Sequence, residues 1–496
     1  MPSSSLGTRR AELALLLLCA AAYALALGAY YVGFFNDDAF YIIGARSLLS
    51  GRFAELNAPG APPLSPYMPG YPLLLAPLTA LFPESFLPLQ LLSVACTLGS
   101  LHLLWELLDG RASPAVRFAA TALAGLNPLT VSVSGTVLTD PLFTLLTLAF
   151  FVQARRAWRD EAPGPWALLC GLCAASWYVR PTGAVFGAAL VGTLLLQRRP
   201  RRALACAAAL AALAAPWLLR GALQGSPLIP YAGELPTADA SPSLPAILSG
   251  AGASALFHLR ELYARALFRW PGAATGGPAE TLAVLGGLAL TLLGLRRLRP
   301  GPLALLAAAG YAGLHLLWAK TTARYLLPAL PFVCALVLLG TQELEERWAL
   351  RRAALPLATL ALALALFAPT LGTVFAASRR KGTPLTTPPE RTFSWIRTHA
   401  PPDAVFAAEE QGRVYLLTGR RSARLRGAPT SREFAAGLRA RGAGWVLSLP
   451  DGGAIVRRDD PNAPLPSSDL RRLAAPPLFE KVFEDPAERS AIYRLR

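Results

Sequence analysis

The apolar residues of this chain come in blocks, and the blocks decide its class. Stretches near 86–108, 118–134, 141–154, 165–179, 183–196, 203–221, 281–295, 302–319, 325–341 and 353–375 are nearly free of charge, and one more, 11–35, lies near the start. A helix needs about 20 apolar residues to cross ~30 Å of hydrocarbon. Charged residues make up only 16% of the chain, where a soluble domain carries about 25%. The expected fold is therefore a polytopic α-helical membrane protein with about eleven transmembrane helices. The run 72–82 is too short to cross and reads as an interfacial or re-entrant piece.

Charge gives an independent check on this register. The formal net charge of +17 is almost wholly arginine, with lysine only at Lys320, Lys381 and Lys481. Such basicity could suggest nucleic acid, but the arginines sit in short loops between apolar blocks, so no nucleic acid is expected. Alternation from a cytoplasmic N-terminus puts these on the inside: Arg111 and Arg117; Arg155, Arg156 and Arg159; Arg198, Arg199, Arg201 and Arg202; Arg296, Arg297 and Arg299; Arg347, Arg351 and Arg352. The short outer connections hold only Arg180, Lys320 and Arg324. That asymmetry is the positive-inside rule. It gives a multi-pass protein of the inner (plasma) membrane, with the N-terminus in and the C-terminus out.

The first block has a competing reading, because residues 24–26 resemble a signal-peptide cleavage site. The apolar run continues to Tyr30, Tyr31, Phe34 and Phe35, an aromatic belt that favours a retained span. On either reading the residues after this block lie outside the cytoplasm. The six cysteines all fall within apolar blocks. Cys170 and Cys173 form a C-x-x-C with no second pair or histidine beside it, so packing is favoured over zinc or redox work.

The expected domains are 1–375, a membrane domain with long outer loops at 36–85 and 222–280, and 376–496, a small outer domain. In the latter, Thr387-Pro388-Pro389-Glu390 opens an amphipathic helix with a plausible cap. Apolar runs at 404–408, 445–449, 479–483 and 491–495 alternate with the helical pattern 431–441, which reads as a small α/β domain.

Three sets of residues on the outer face bear chemistry. The adjacent acids Asp37 and Asp38 follow the first block; carboxylates cost about 2.5–3.5 kcal/mol each inside the membrane, so they lie at or beyond its surface. Either could cap the helix over 39–49, although Asn36 could do that alone and leave both free. Asp140, before Pro141, is a second cap or functional acid. The third set is cationic: Arg180 in "YVRPTG", Arg220 in "PWLLRG", and Lys320 and Arg324 in "WAKTTARYLLPALPF". Singly, each reads as a headgroup anchor, with membrane lipids as partners. Jointly, carboxylates and cations suit an anionic lipid phosphate.

In these residues the chain resembles the polytopic glycosyltransferases of the GT-C fold, close to the protein O-mannosyltransferase and lipid A aminoarabinose-transferase branch. "NDDAFYIIGARSLLSG" is similar to the family's acidic pair in the first outer loop, and "TVLTDPLFTLL" to its second acidic motif. "PYMPGYPLLLAPL", "VRPTG", "PWLLRG" and "RYLLPALPF" are similar to other recurring segments, in matching order over roughly residues 10–375. The pair here is Asp-Asp where the family more often has Asp-Glu.

The resemblance implies transfer of a sugar from a polyprenyl-phosphate carrier to an envelope acceptor, with inversion and without a nucleotide. It implies Asp37 as general base, with Asp38 and Asp140 as catalytic companions. It places Arg324, Lys320, Arg180, Arg220 and Tyr325 on the donor phosphate, and Tyr67, Pro69 and Tyr71 in an acceptor loop. Asp37, Asp38 and Asp140 could hold a divalent metal, but no histidine accompanies them. His102, His258, His315 and His399 are scattered without ligand spacing, so no cofactor is expected. The main rival is a transporter or flippase for envelope precursors. Such proteins commonly place ionisable groups at the bilayer midplane, whereas these sit at outer ends. A noncatalytic envelope scaffold is the third reading.

Overall fold

A computed structural model describes residues 3–65, 67–160, 162–224, 244–268, 277–317, 322–351, 353–379, 388–449 and 467–496. The chain divides into two compact units: residues 1–27 with 87–376, and residues 28–86 with 377–496.

The described residues of the first unit are mainly helical, and each apolar block coincides with one or two helices. Among the described residues, four helices are long and apolar enough to cross a membrane: Leu87–Leu107, Pro200–Leu223, Pro278–Leu298 and Ala354–Arg379. Pro114–Gly125 and Pro128–Ser134, bent by 55°, make a fifth if they form one broken span. Length and composition therefore establish fewer spans than the eleven expected. Helices such as Pro302–Leu317, at 16 residues, reach only about 24 Å at 1.5 Å per residue. The opening helix, Ser3–Ala26, stops well short of Phe35. Gly28 at φ 81° and Gly33 at φ 100° turn the chain, a conformation glycine adopts without a Cβ penalty. Tyr30, Phe34 and Phe35 then cluster among themselves, with ring centroids 4.9–5.2 Å apart.

Two helices of this unit, Pro278–Leu298 and Leu330–Arg347, meet backbone to backbone. A Cβ at Gly294 would lie 2.0 Å from the Leu336 carbonyl oxygen, and one at Gly340 would lie 2.1 Å from that of Leu290. Only glycine permits such an approach, which is how membrane helices gain packing without a hydrophobic drive between them.

Among the described residues of the second unit, five strands form one sheet: β1 (Val405–Ala408), β2 (Arg421–Arg424), β3 (Trp445–Ser448), β4 (Phe479–Asp485) and β5 (Ser490–Leu495), in the order β2-β1-β3-β5-β4. β1 runs parallel to β2 and β3, while β5 is antiparallel to β3 and β4. Alternation along the strands feeds two cores. Ala407, Val446 and Tyr493 point to one face with Phe434 and Leu438 of the helix Ser431–Ala440. Phe406, Leu447 and Ile492 point to the other, with Phe393 and Ile396 of Glu390–His399 and Val414 of Gln411–Thr418.

The sheet expected from the sequence is present, with one strand more than its four apolar runs. β2 reads Arg-Ser-Ala-Arg with both arginines exposed, so its pattern carries no apolar run to betray it. Thr387 lies outside the described residues, and Pro389 gives Glu390–His399 no side-chain cap. Its first N–H groups go instead to Glu488, whose carboxylate accepts from Arg391 N at 2.8 Å and Thr392 N at 2.9 Å. The same unit holds the helices Asp37–Leu49 and Gly70–Leu81, the latter only 12 residues long.

Candidate active site

Asp37 and Asp38 open the helix Asp37–Leu49, where the N-terminal dipole favours negative charge. Neighbours in sequence, they do different work. Asp38 is 2% exposed. Its Oδ2 accepts from Gly33 N at 2.7 Å, and its Oδ1 from Ala39 N at 3.0 Å. Burial pushes its pKa up to about 7, reinforced by Asp37 and opposed by those two N–H groups and by Arg413. Asp37 is half-buried, and its Oδ1 accepts the Tyr67 hydroxyl at 3.1 Å.

The capping expectation fails in an instructive way. Asn36 occupies the N-cap position with φ 59°, yet its side chain does not cap the helix. Its Oδ1 accepts instead from Gly412 N at 3.0 Å. Arg413 donates from Nε to Gly33 O at 2.7 Å and from Nη2 to Phe34 O at 2.6 Å. Glu410 stands 3.9 Å from Arg413. Burial raises the pKa of Glu410, Arg413 opposes that, and Asp37 adds to it. None of Glu410, Gly412 and Arg413 stood out in the sequence.

The acceptor-loop residues differ among themselves. The Tyr67 ring stacks on Phe40 at 5.0 Å and meets Tyr41 edge-on at 5.4 Å. Tyr71 is buried against Tyr41, and Pro69 is buried just before Gly70–Leu81. Of the three, Tyr67 meets Asp37.

The first unit gathers a second cluster. Asp140 lies in the first turn of Thr139–Arg159, after Leu138 at the cap position, so it is not the N-cap. It is fully buried, and its Oδ1 accepts from Arg180 Nη1 at 2.8 Å. The Arg180 guanidinium lies 5.7 Å from the Phe143 ring and 5.3 Å from that of Tyr325, within cation–π range. Arg324 also reaches Tyr325, at 5.6 Å. The Tyr311 hydroxyl donates to Tyr325 O at 2.7 Å, and the His315 ring lies 4.2 Å from that of Tyr311.

The two histidines expected to be apart, His258 and His315, stand 6.0 Å from ring to ring. They lie too far apart in sequence for spacing to pair them. Arg220 sits over Trp217 of its own helix at 4.7 Å, and Lys320 lies outside the described residues. A tight turn sets Arg180 in place. Pro181–Gly183 folds back on the end of Pro163–Val179, where a Cβ at Gly183 would lie 2.3 Å from the Ser176 carbonyl carbon. Among the described residues, no three His, Cys, Asp or Glu side chains gather as a metal would require.

Comparison with known proteins agrees with this architecture. The family model described as dolichyl-phosphate-mannose-protein mannosyltransferase matches residues 63–219, a stretch that includes Tyr67, Asp140 and Arg180. ArnT from Cupriavidus metallidurans, solved bound to undecaprenyl phosphate, superposes with a TM-score of 0.58 at 12% identity, over 97% of this chain and 97% of its own. The Archaeoglobus fulgidus oligosaccharyltransferase tethered to an acceptor peptide gives 0.57 at 14% identity, over 88% of this chain and 69% of its own. The oligosaccharyltransferase AglB of the same organism, in complex with an inhibitory peptide and a dolichol-phosphate, gives 0.55 at 13%, with the same coverage. No curated protein sequence matches. The fold is GT-C. The family match over residues 63–219 accords with that fold, which the chain shares with ArnT and AglB.

Proposed function

We propose that the protein transfers a hexosyl or pentosyl group from a polyprenyl-phosphate carrier to an envelope acceptor (a lipid, glycan or protein) on the extracytoplasmic face of the plasma membrane, with inversion. The observation that carries this reading is the division of labour in the acidic pair. Asp38 is buried and spends both oxygens on backbone N–H groups, whereas Asp37 is half-buried and oriented by Tyr67. Asp37 is thus the acid able to meet a substrate.

Asp37 takes the proton of the acceptor hydroxyl as that oxygen attacks the anomeric carbon. The bond from that carbon to the phosphate oxygen breaks, and the lipid phosphate departs with the bonding electrons. A single displacement of this kind inverts the anomeric centre. Arg324 and Lys320 meet the charge growing on the phosphate, and Asp140 orients Arg180 for the same task. Support for such a donor comes from the lipid phosphates bound by ArnT and AglB.

Purified protein offered a panel of polyprenyl-phosphate sugars with envelope extract should add one sugar mass to an acceptor. Asp37→Asn should lower that rate by about 10²–10⁴-fold while insertion and elution stay unchanged. Full activity in the variant would remove the base assignment. Passage of the lipid-linked sugar across vesicles with no covalent product would favour a transporter instead.

A further inference from the structure

The segment before Asp37 is held by the C-terminal domain at three points. Arg413 donates to the carbonyls of Gly33 and Phe34, and Gly412 N donates to the Asn36 side chain. Two adjacent residues of Gln411–Thr418 thus bracket the turn at both ends. Gly33 is held on its other side as well, since its N–H goes to Asp38 at 2.7 Å. The fit is close: a Cβ on Gly33 would lie 3.3 Å from Arg413 Cγ. The Arg413 side chain is 11% exposed, and its guanidinium lies 5.4 Å from the Tyr31 ring.

A planar guanidinium can donate to two carbonyls at a set spacing, which a lysine ammonium cannot reproduce. The turn needs such a clamp, because Asn36 has φ 59°, a region that non-glycine residues seldom occupy. Released, residues 33–36 would relax, and Asp37 follows directly.

The position of the clamp in the sheet is also telling. From β1 the chain passes through Gln411–Thr418 to β2 on one side, then through Ser431–Ala440 to β3 on the other. Those helices lie on opposite faces. The carboxyl end of β1 is therefore the switch point at which open α/β sheets take their ligands. Glu410, Gly412 and Arg413 follow that end directly, and here the turn carrying Asp37 takes the ligand's place.

We propose that Arg413 is a positioning residue for transfer, fixing the turn 33–36 and through it the direction of the Asp37 carboxylate. The proposal rests on the reading of Asp37 as base. A base must sit within about 2.6–3.2 Å of the proton it takes, and a shift of about 1 Å costs on the order of 10²-fold.

The test uses the full chain in detergent. In Arg413→Ala, hydrogen–deuterium exchange over residues 30–40 should quicken by about tenfold or more. With the sugar donor found in the panel, kcat should fall by about 10²-fold with the donor KM little changed. Arg413→Lys should fall between the two. In an Asp37→Asn background, Arg413→Ala should lower the residual rate no further, whereas a merely structural role would cost the same factor again and overturn the proposal. Unchanged exchange and kcat in Arg413→Ala would overturn it equally. If that variant is lost on extraction, Asn36→Ala removes one neutral bond of the clamp and is read by the same outcomes. An active Asp37→Asn would remove the base while the exchange result still reported the clamp, so the two failures are separable.

Discussion

Asp37 and Asp38 are one residue type one position apart, and only their surroundings separate them. Folding raises the pKa of Asp38 from 3.8 to about 7, chiefly by burial. The folded state then keeps a proton that the unfolded state gives up between those values. The stability this contributes is fully present below about 3.8 and is lost as the pH rises to about 7. Thermal melts of wild type and Asp38→Asn from pH 4 to 8 should show the wild type losing ground to the variant as pH rises to 7. Glu410, raised in the same direction, is common to both and cancels. Parallel curves would mean that Asp38 does not hold the proton. The pair itself was legible in the sequence, but the division of roles was not. It depends on the N–H of Gly33 and on Arg413, 380 positions away from that glycine. Asn36 reads as a helix cap in any sequence, and only the packed partner Gly412 shows where its side chain goes.

Elements were more legible than residues, because hydropathy acts over a whole helix while contacts act at points. The apolar blocks and the strands β1, β3, β4 and β5 announce themselves by period. The polar edge strand β2 and the end of Ser3–Ala26 do not, since exposure sets one and glycine geometry the other. The motif "VRPTG" was read for its arginine, yet its glycine does as much. Gly183 packs against the backbone of Ser176 and Trp177, which cannot move aside as a side chain can. Gly183→Ala should therefore shift the turn that carries Arg180, costing about 1–3 kcal/mol and reducing transfer. Gly171, in the preceding helix, has nothing within 4 Å of an added Cβ, so Gly171→Ala should leave melting and rate near wild type. Equal effects from the two substitutions would show that the close approach at Gly183 carries no special weight.

At the scale of the whole molecule, orientation decides whether the chemistry lies where lipid-linked sugars are used. The case for it is the arginine asymmetry between alternate loops, and the molecule is well suited to a direct test. The six cysteines lie buried in the first unit, and residues 376–496 have none. A cysteine introduced at an exposed site is then the main group open to a membrane-impermeant maleimide. Ser394, on Glu390–His399, and Asp160, after Thr139–Arg159, are both exposed. In intact spheroplasts Ser394→Cys should label and Asp160→Cys should not, with Asp160→Cys labelling once the membrane is opened. The reverse pattern would put the C-terminal domain in the cytoplasm, away from the proposed envelope acceptor. Labelling of both in intact spheroplasts would mean an even number of crossings between them, where alternation of the loops requires an odd one. The measurement thus tests the helix register and the proposed transfer together, because the arginine rule supports both.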